Sequence, residues 1–331
     1  MIATPLTRRL TRAFLCATIL TTGMNVTLAY ADDYPSRPIR LVVAQAPGSG
    51  VDLVARKVAQ KMTEGLGTSV YVENRPGANG IIGTDYVAKA KPDGYTILAV
   101  VPSTMSVNQF MYDHIPYDPL KDFTAVAQTH IILFGLVVNA ASPVKTVADL
   151  IKLAKTKPGG LNYSSGGVGN LNQLGAELFS AKAHIKMQQV PNRGEAPAII
   201  DLVSGQTDLM FSTLPTAAPL IASGQLRLIA TLGTRRATSY PDVPTFVELG
   251  YPSVVVEGWE GLVVPKNTPP AIVMKLQQEV IKDLKDPDLR KTIAELGGEP
   301  VGSGSQAFAQ VMQDDAKKWQ GVIQGAGLKA Q

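Results

Sequence analysis

Cysteine is nearly absent from this 331-residue chain, with Cys16 the single example. Histidine is almost as scarce. His114, His130 and His184 stand far apart, with no metal-ligand spacing among them. No serine sits in a G-x-S-x-G context, and beyond position 16 there is no thiol to act as a nucleophile. Two glycine pairs fall short of a dinucleotide fingerprint. Gly48-x-Gly50 is followed by Leu53 where a third glycine belongs, Gly167-x-Gly169 is followed by Asn172, and no P-loop lysine follows either. Past the N-terminal segment, no apolar run approaches the ~20 residues that cross a bilayer. These gaps weigh against a metal, thiol, serine-hydrolase or nucleotide enzyme. No cofactor is expected.

The first 31 residues read as a signal peptide. Arg8, Arg9 and Arg12 form a basic start, residues 13–20 a short apolar stretch, and Ala29-Tyr30-Ala31 the small residues of a cleavage site. Cleavage after Ala31 removes three arginines and no acids, so the formal net charge of +4 falls to about +1. Cys16 leaves with the segment, and the mature protein is expected to be periplasmic, soluble and free of disulfides. A chain this close to neutral is a poor partner for nucleic acid or an anionic membrane.

What is present is apolar and well patterned: 45% hydrophobic residues against 18% charged, enough for filled cores. About 300 mature residues suit one large domain or two of ~150. Residues 39–44 are a β-rich apolar run, followed by the turn Pro47-Gly48-Ser49-Gly50. Val51, Val54, Val58, Met62 and Leu66 then line one face of a helix closed by Gly67. A strand at 70–72, a helix at 81–90, the turn Lys91-Pro92-Asp93-Gly94 and a strand at 96–101 complete βαβαβ, which predicts a right-handed parallel sheet. The same alternation returns with strands at 136–138, 161–163, 187–190, 209–211 and 226–231 and helices between them. After a long strand at 254–264 the pattern predicts only helices, at 270–284, 287–296 and 305–324. This suits two α/β lobes joined by crossings near 125–134 and 255–263.

Ligands of open α/β sheets sit beyond the carboxyl ends of strands, where helix N-termini point in. Three loops here fit that position. Gln45-Ala46-Pro47-Gly48-Ser49-Gly50-Val51-Asp52 combines glycines with a following helix. It is read equally well as a tight turn, since Ser49-x-x-Asp52 matches a capping box. Pro102-Ser103-Thr104-Met105 carries hydroxyls that suit capping better than binding when taken alone. Ser164-Ser165-Gly166-Gly167-Val168-Gly169-Asn170 has more glycines and hydroxyls than a turn requires, which favours binding. Trp259 and Phe211 read as packing residues rather than ligand contacts.

Several ordered motifs share one resemblance. They are Tyr34-Pro35-x-Arg37-Pro38-Ile39-Arg40, Glu73-Asn74-Arg75-Pro76-Gly77-Ala78, Pro92-Asp93-Gly94-Tyr95-Thr96, Pro116-Tyr117-Asp118-Pro119, Gly205-Gln206, Asp242-Val243-Pro244-Thr245 and Trp259-x-Gly261-Leu262. Over essentially the whole mature chain the sequence resembles the Bug-type solute-binding receptors of tripartite tricarboxylate transporters. The resemblance implies a two-lobed Venus-flytrap fold, α/β throughout. Each lobe would be a mostly parallel sheet flanked by helices, with residues 32–132 plus 256–331 in lobe 1 and 133–255 in lobe 2. It implies a monomer that captures a di- or tricarboxylate, aliphatic or aromatic such as terephthalate, and hands it to membrane subunits. It implies no catalysis. By the same resemblance the ligand would be met by Gln45, Ala46, Pro47, Gly48, Ser49, Gly50, Asp52, Ser103, Thr104, Ser164, Ser165, Gly166, Gly167, Gly169, Asn192, Arg193 and Ser212.

Three positions depart from the family pattern. Gln45 stands where an aromatic residue is frequent, and Asn192-Arg193 where an aromatic-basic pair is. Ser212 replaces a frequent acid, which argues against a ligand amino group, while Arg193 could pair with a second ligand carboxylate. Two other readings remain open at this stage. One is a sensory receptor on the same fold, and the other a secreted hydrolase or isomerase, separable by turnover of a bound acid.

Overall fold

A computed structural model describes residues 34–326. Residues 1–31, read above as a signal peptide, lie outside the described residues.

The chain opens with the expected alternation: β1 (Ile39–Val43), α1 (Gly50–Leu66), β2 (Val70–Asn74), α2 (Ile81–Ala88) and β3 (Thr96–Val100). Ser49 caps α1 by accepting from the Asp52 amide, and Gly67 ends it at φ 67°, a conformation a side chain would strain. Val54, Val58 and Met62 bury the apolar stripe of α1. β1 pairs in parallel with β2 on one side and β3 on the other, with Leu41 opposite Val72 and Ile97. A π-helical turn at Ser103–Val107 and a short α3 (Asn108–Met111) follow β3.

β4 (Phe123–Asn139) is a single strand of 17 residues, nearly all of it buried. The separate strand expected at 136–138 is its second half. No turn residue interrupts the run, and Gly135 continues straight through because Leu228 and Leu214 occupy the space a side chain would need. From Phe123 to Leu133 this strand pairs antiparallel with β9 (Glu257–Pro265); from Phe134 onward it pairs with β7 (Leu209–Thr213) and β8 (Leu226–Thr231). Between these come α4 (Val147–Thr156), β5 (Leu161–Ser165), α5 (Leu171–Ala183), β6 (Met187–Pro191), α6 (Glu195–Val203) and α7 (Leu214–Ala222). The sheet order is β2-β1-β3-β9-β4-β7-β5-β6. Each end is a parallel trio, and the antiparallel crossing strands β4 and β9 join them.

The C-terminal stretch departs from expectation. α8 (Pro270–Asp283), α9 (Pro287–Glu295) and α10 (Ser305–Ala326) enclose a tenth strand, β10 (Gly298–Gly304), antiparallel to β4. Its sequence, with three glycines and Pro300, reads as loop. The free edge of β4 imposes the ladder, with an irregularity between Pro300 and Ser303 that absorbs the proline.

Apolar cores flank both ends of the sheet. One gathers Phe179, Phe211, Phe246 and Tyr251 around ring contacts of 5.0–6.2 Å. The other packs Val42, Leu98, Trp259 and Phe308 under α10, with the Trp259 and Phe308 rings edge to face at 5.2 Å. Trp259 also donates from Nε1 to Asp315 Oδ2 at 3.1 Å. Both aromatics read as packing residues are core residues here.

Candidate ligand-binding cleft

Each parallel trio ends in loops that lead into helix N-termini, and several contacts join the two sets of loops. Gly50, the first residue of α1, faces Pro215 in the first turn of α7: a Cβ added at Gly50 would lie 3.1 Å from Pro215 Cβ. Asn79 donates from Nδ2 to Asn108 Oδ1 at 2.8 Å and to the Gly169 carbonyl at 3.4 Å. The Met111 side chain covers Gly169, 3.4 Å from where a side chain would start. Loops on β1, β3 and β5 and the start of α7 therefore meet across the middle of the molecule.

On the α1 side, Ala46, Pro47 and Gly48 are exposed, and Gly48 adopts φ 79°. Asp52 is buried to 2% exposure and turns its carboxylate back into the loop. It accepts from the Gly48 amide at 2.9 Å, Arg56 Nε at 3.0 Å and Asn74 Nδ2 at 2.8 Å. Burial pushes its pKa up, but the bonds from Arg56, Gly48 and Asn74 outweigh that and hold it below the usual carboxylate value. Asp52 thus secures the loop, Ser49 caps the helix, and the amides of Gly50 and Val51 are those α1 cannot satisfy itself. The Gln45 carbonyl accepts from Asn74 Nδ2 at 3.1 Å, while Gln45 Oε1 is buried with no hydrogen-bond partner among the described residues. Ser103 is half-buried at the next strand end. Thr104 is 1% exposed and spends its hydroxyl on the Val101 carbonyl at 3.0 Å, so it packs and caps.

On the α5 side, Ser164 is fully buried, its Oγ accepting from Thr207 Oγ1 at 3.2 Å. Ser165 Oγ accepts from Gln189 Nε2 at 2.7 Å and steadies the glycine loop beside Gly167. Gly166 is required because a Cβ would lie 2.9 Å from the Glu195 amide nitrogen, and Gly167 because its φ is 127°. The Gly169 amide donates to Gln173 Oε1 at 2.8 Å. The Asn192 amide nitrogen donates to the Ser165 carbonyl at 2.9 Å, while its Nδ2 donates to Asp201 at 2.8 Å, away from the loop. Arg193 is exposed and makes no hydrogen bond or ion pair among the described residues.

Ser212 exposes what sequence reading missed. Its hydroxyl donates to Glu195 Oε1 at 2.9 Å, and the same carboxylate accepts from the Thr213 amide at 2.6 Å, Thr213 Oγ1 at 2.9 Å, Thr216 Oγ1 at 3.1 Å and Asn172 Nδ2 at 3.1 Å. The acid absent at position 212 is supplied from the first turn of α6. The argument from Ser212 against a ligand amino group rested on the loss of an acid there, and this carboxylate stands beside it. Burial pushes the Glu195 pKa up against these bonds. The available sign was Glu195 directly after Gly194 at a helix start, the ordinary place for an acid in a first turn, which concealed its longer reach.

Behind the cleft, the crossing strands carry a second buried acid. Glu260 on β9 stands opposite His130 on β4, with Oε2 3.8 Å from Nε2. Both carboxyl oxygens lack a hydrogen-bond partner among the described residues. Burial, then the charge of Asp52, drives the Glu260 pKa well up; burial pushes His130 down to about 3. His130 is neutral at pH 7. Among the described residues no cluster of His, Cys, Asp and Glu could hold a metal ion.

Residues 54–328 match the family model described as tripartite tricarboxylate transporter family receptor. The chain belongs to this receptor family. Solved structures of similar receptors agree with the two-lobed fold. The chain is 32% identical to R. palustris Rpa4515, solved with adipate, covering 90% of this chain and 99% of that one at a TM-score of 0.86. It is 30% identical to the periplasmic binding protein BugD, covering 90% and 100% at 0.84. It is also 30% identical to MatC of Rhodopseudomonas palustris, solved with malate, covering 88% and 100% at 0.81. Bug-type receptors of this family are transport solute-binding proteins with two lobes, and this chain shares that architecture.

Proposed function

We propose that the protein is a periplasmic receptor that captures a small organic carboxylate between its lobes and passes it unchanged to the membrane subunits of a tripartite tricarboxylate transporter. One observation carries this reading: the glycine-bearing loops at Gly48–Gly50 and Gly166–Gly169 are brought together by the Asn79–Gly169 bond and the Gly50–Pro215 contact. Unsatisfied helix-start amides suit a negative group, and a ligand touching both sets prefers the closed form and shifts the population by that difference in affinity. The lobes are assigned as residues 32–132 with 256–331, and 133–255. The exchange of partners along β4 between Leu133 and Phe134 supports that boundary.

The ligand-contacting positions are assigned to Gln45 through Gly50 with Ser103 in lobe 1, and to Ser165, Gly166, Gly167, Gly169 and Arg193 in lobe 2. Asp52, Thr104, Ser164, Asn192 and Ser212 act behind them through the hydrogen bonds above. The similar receptors solved with adipate and malate support an organic acid as ligand, with the di- and tricarboxylates expected from the sequence inside that class. A thermal-shift screen of mono-, di- and tricarboxylates with neutral sugars and amines as controls tests the reading. Upward shifts confined to acids are expected, followed by micromolar affinity, about −8 kcal/mol, in titration calorimetry. Stabilisation by sugars or amines alone would overturn it.

A further inference from the structure

The five donors around Glu195 come from three elements. Asn172 lies in the first turn of α5, Ser212 and Thr213 are the last two residues of β7, and Thr216 lies in the first turn of α7 that Thr213 caps. An amide nitrogen, a side-chain amide and three hydroxyls aimed at one point form an anion seat of the kind a receptor offers a ligand carboxylate. Here the chain fills that seat itself. The seat is at the lobe-2 wall of the crevice. Pro215, between Thr213 and Thr216, is the residue that meets Gly50 across the cleft, and the Glu195 amide nitrogen lies against Gly166.

The filled seat has two consequences for a ligand. Its donors are spent, since Oε1 takes three of them and Oε2 takes two. When ionised, a carboxylate in a partly dry site also repels a second one brought within a few ångströms, because screening by water is weak there. On the α1 side the donors left to an anion are the Gly50 and Val51 amides.

We propose that Glu195 is the specificity-determining residue of the lobe-2 end of the cleft. Its carboxylate occupies the second anion seat, so the preferred ligand carries one carboxylate, held by the glycine loops, and ends in an uncharged group beside α7. This narrows the carboxylate-receptor reading and rests on it.

The test uses the full mature chain and length-matched acid pairs, hexanoate with adipate and butyrate with succinate, titrated into wild type, Glu195→Ala and Glu195→Gln. Wild type is expected to bind the monocarboxylate of a pair more tightly. Both variants should move the ratio toward the dicarboxylate by about tenfold or more. Acetate at millimolar concentration should raise the melting temperature of Glu195→Ala above its effect on wild type, by refilling the vacated seat. A wild-type preference for the dicarboxylate in both pairs, or an unchanged ratio in both variants, overturns the proposal while leaving the carboxylate reading intact. Failure of every acid to bind wild type overturns the carboxylate reading itself, and this proposal with it.

Discussion

Glu260 and His130 show how burial alone sets a charge state. Each faces the other from a crossing strand, and neither carboxyl oxygen of Glu260 finds a donor among the described residues. Ionising either one would leave a charge in a dry interior, so burial favours the neutral form of both, and His130 stays neutral at pH 7. The two shifts act on stability with opposite signs. His130, held down to about 3, contributes stability that is complete above its unfolded value of 6.5 and is lost as pH falls from 6.5 toward 3. Glu260, held well above 4.5, contributes stability that is complete below 4.5 and is lost as pH rises above 4.5. Relative to wild type, Glu260→Gln should therefore gain stability as pH rises above 4.5, by about 1.4 kcal/mol per pH unit. His130→Gln should differ in the opposite sense, relatively gaining stability as pH falls below 6.5. Chemical denaturation from pH 4 to pH 8 reads both, and parallel curves for all three proteins would refute the assignment.

At the scale of elements, β4 and β9 carry the architecture. Both are buried on two faces, which is why their sequences run apolar without alternation. Gly261 on β9 is needed because Phe308 of α10 and the Ala127 carbonyl fill the place of a side chain. Gly261→Ala is expected to cost about 1–3 kcal/mol of stability by overpacking, read as a lower midpoint in denaturant with an unchanged slope. A midpoint equal to that of wild type would mean that α10 yields easily and that the strand is less constrained than its contacts indicate. The helices were readable because apolar spacing and caps are local: Ser49, Gly67 and the stripe on α1 lie within one stretch of chain. β10 was not, since glycines and a proline carry no strand preference and the ladder comes from an edge of β4 about 170 residues earlier.

At the scale of the molecule, closure depends on how nearly the two sets of loops can approach. Gly50 against Pro215 is the tightest such approach described here between α1 and α7. Gly50→Leu would wedge the cleft open, and the affinity for any acid that binds wild type is expected to fall about tenfold or more, because the closed form becomes the costlier state. Small-angle scattering should then show no ligand-induced compaction, while the melting temperature without ligand stays close to that of wild type. Undiminished compaction would show that the lobes close along another path.

Residue order alone determined the alternation of strands and helices, the glycine-bearing loops at strand ends and the family. All of these depend on neighbours within a turn or a strand, or on motifs in sequence. Tertiary structure decided which loops share a crevice and where Glu195 spends its charge. It also tied Asp52 to Asn74 and set Glu260 opposite His130. Each of those outcomes depends on groups far apart in the chain being brought together, for Asp52 and Asn74 within the reach of a hydrogen bond. Composition and spacing along a single segment hold no record of such a meeting.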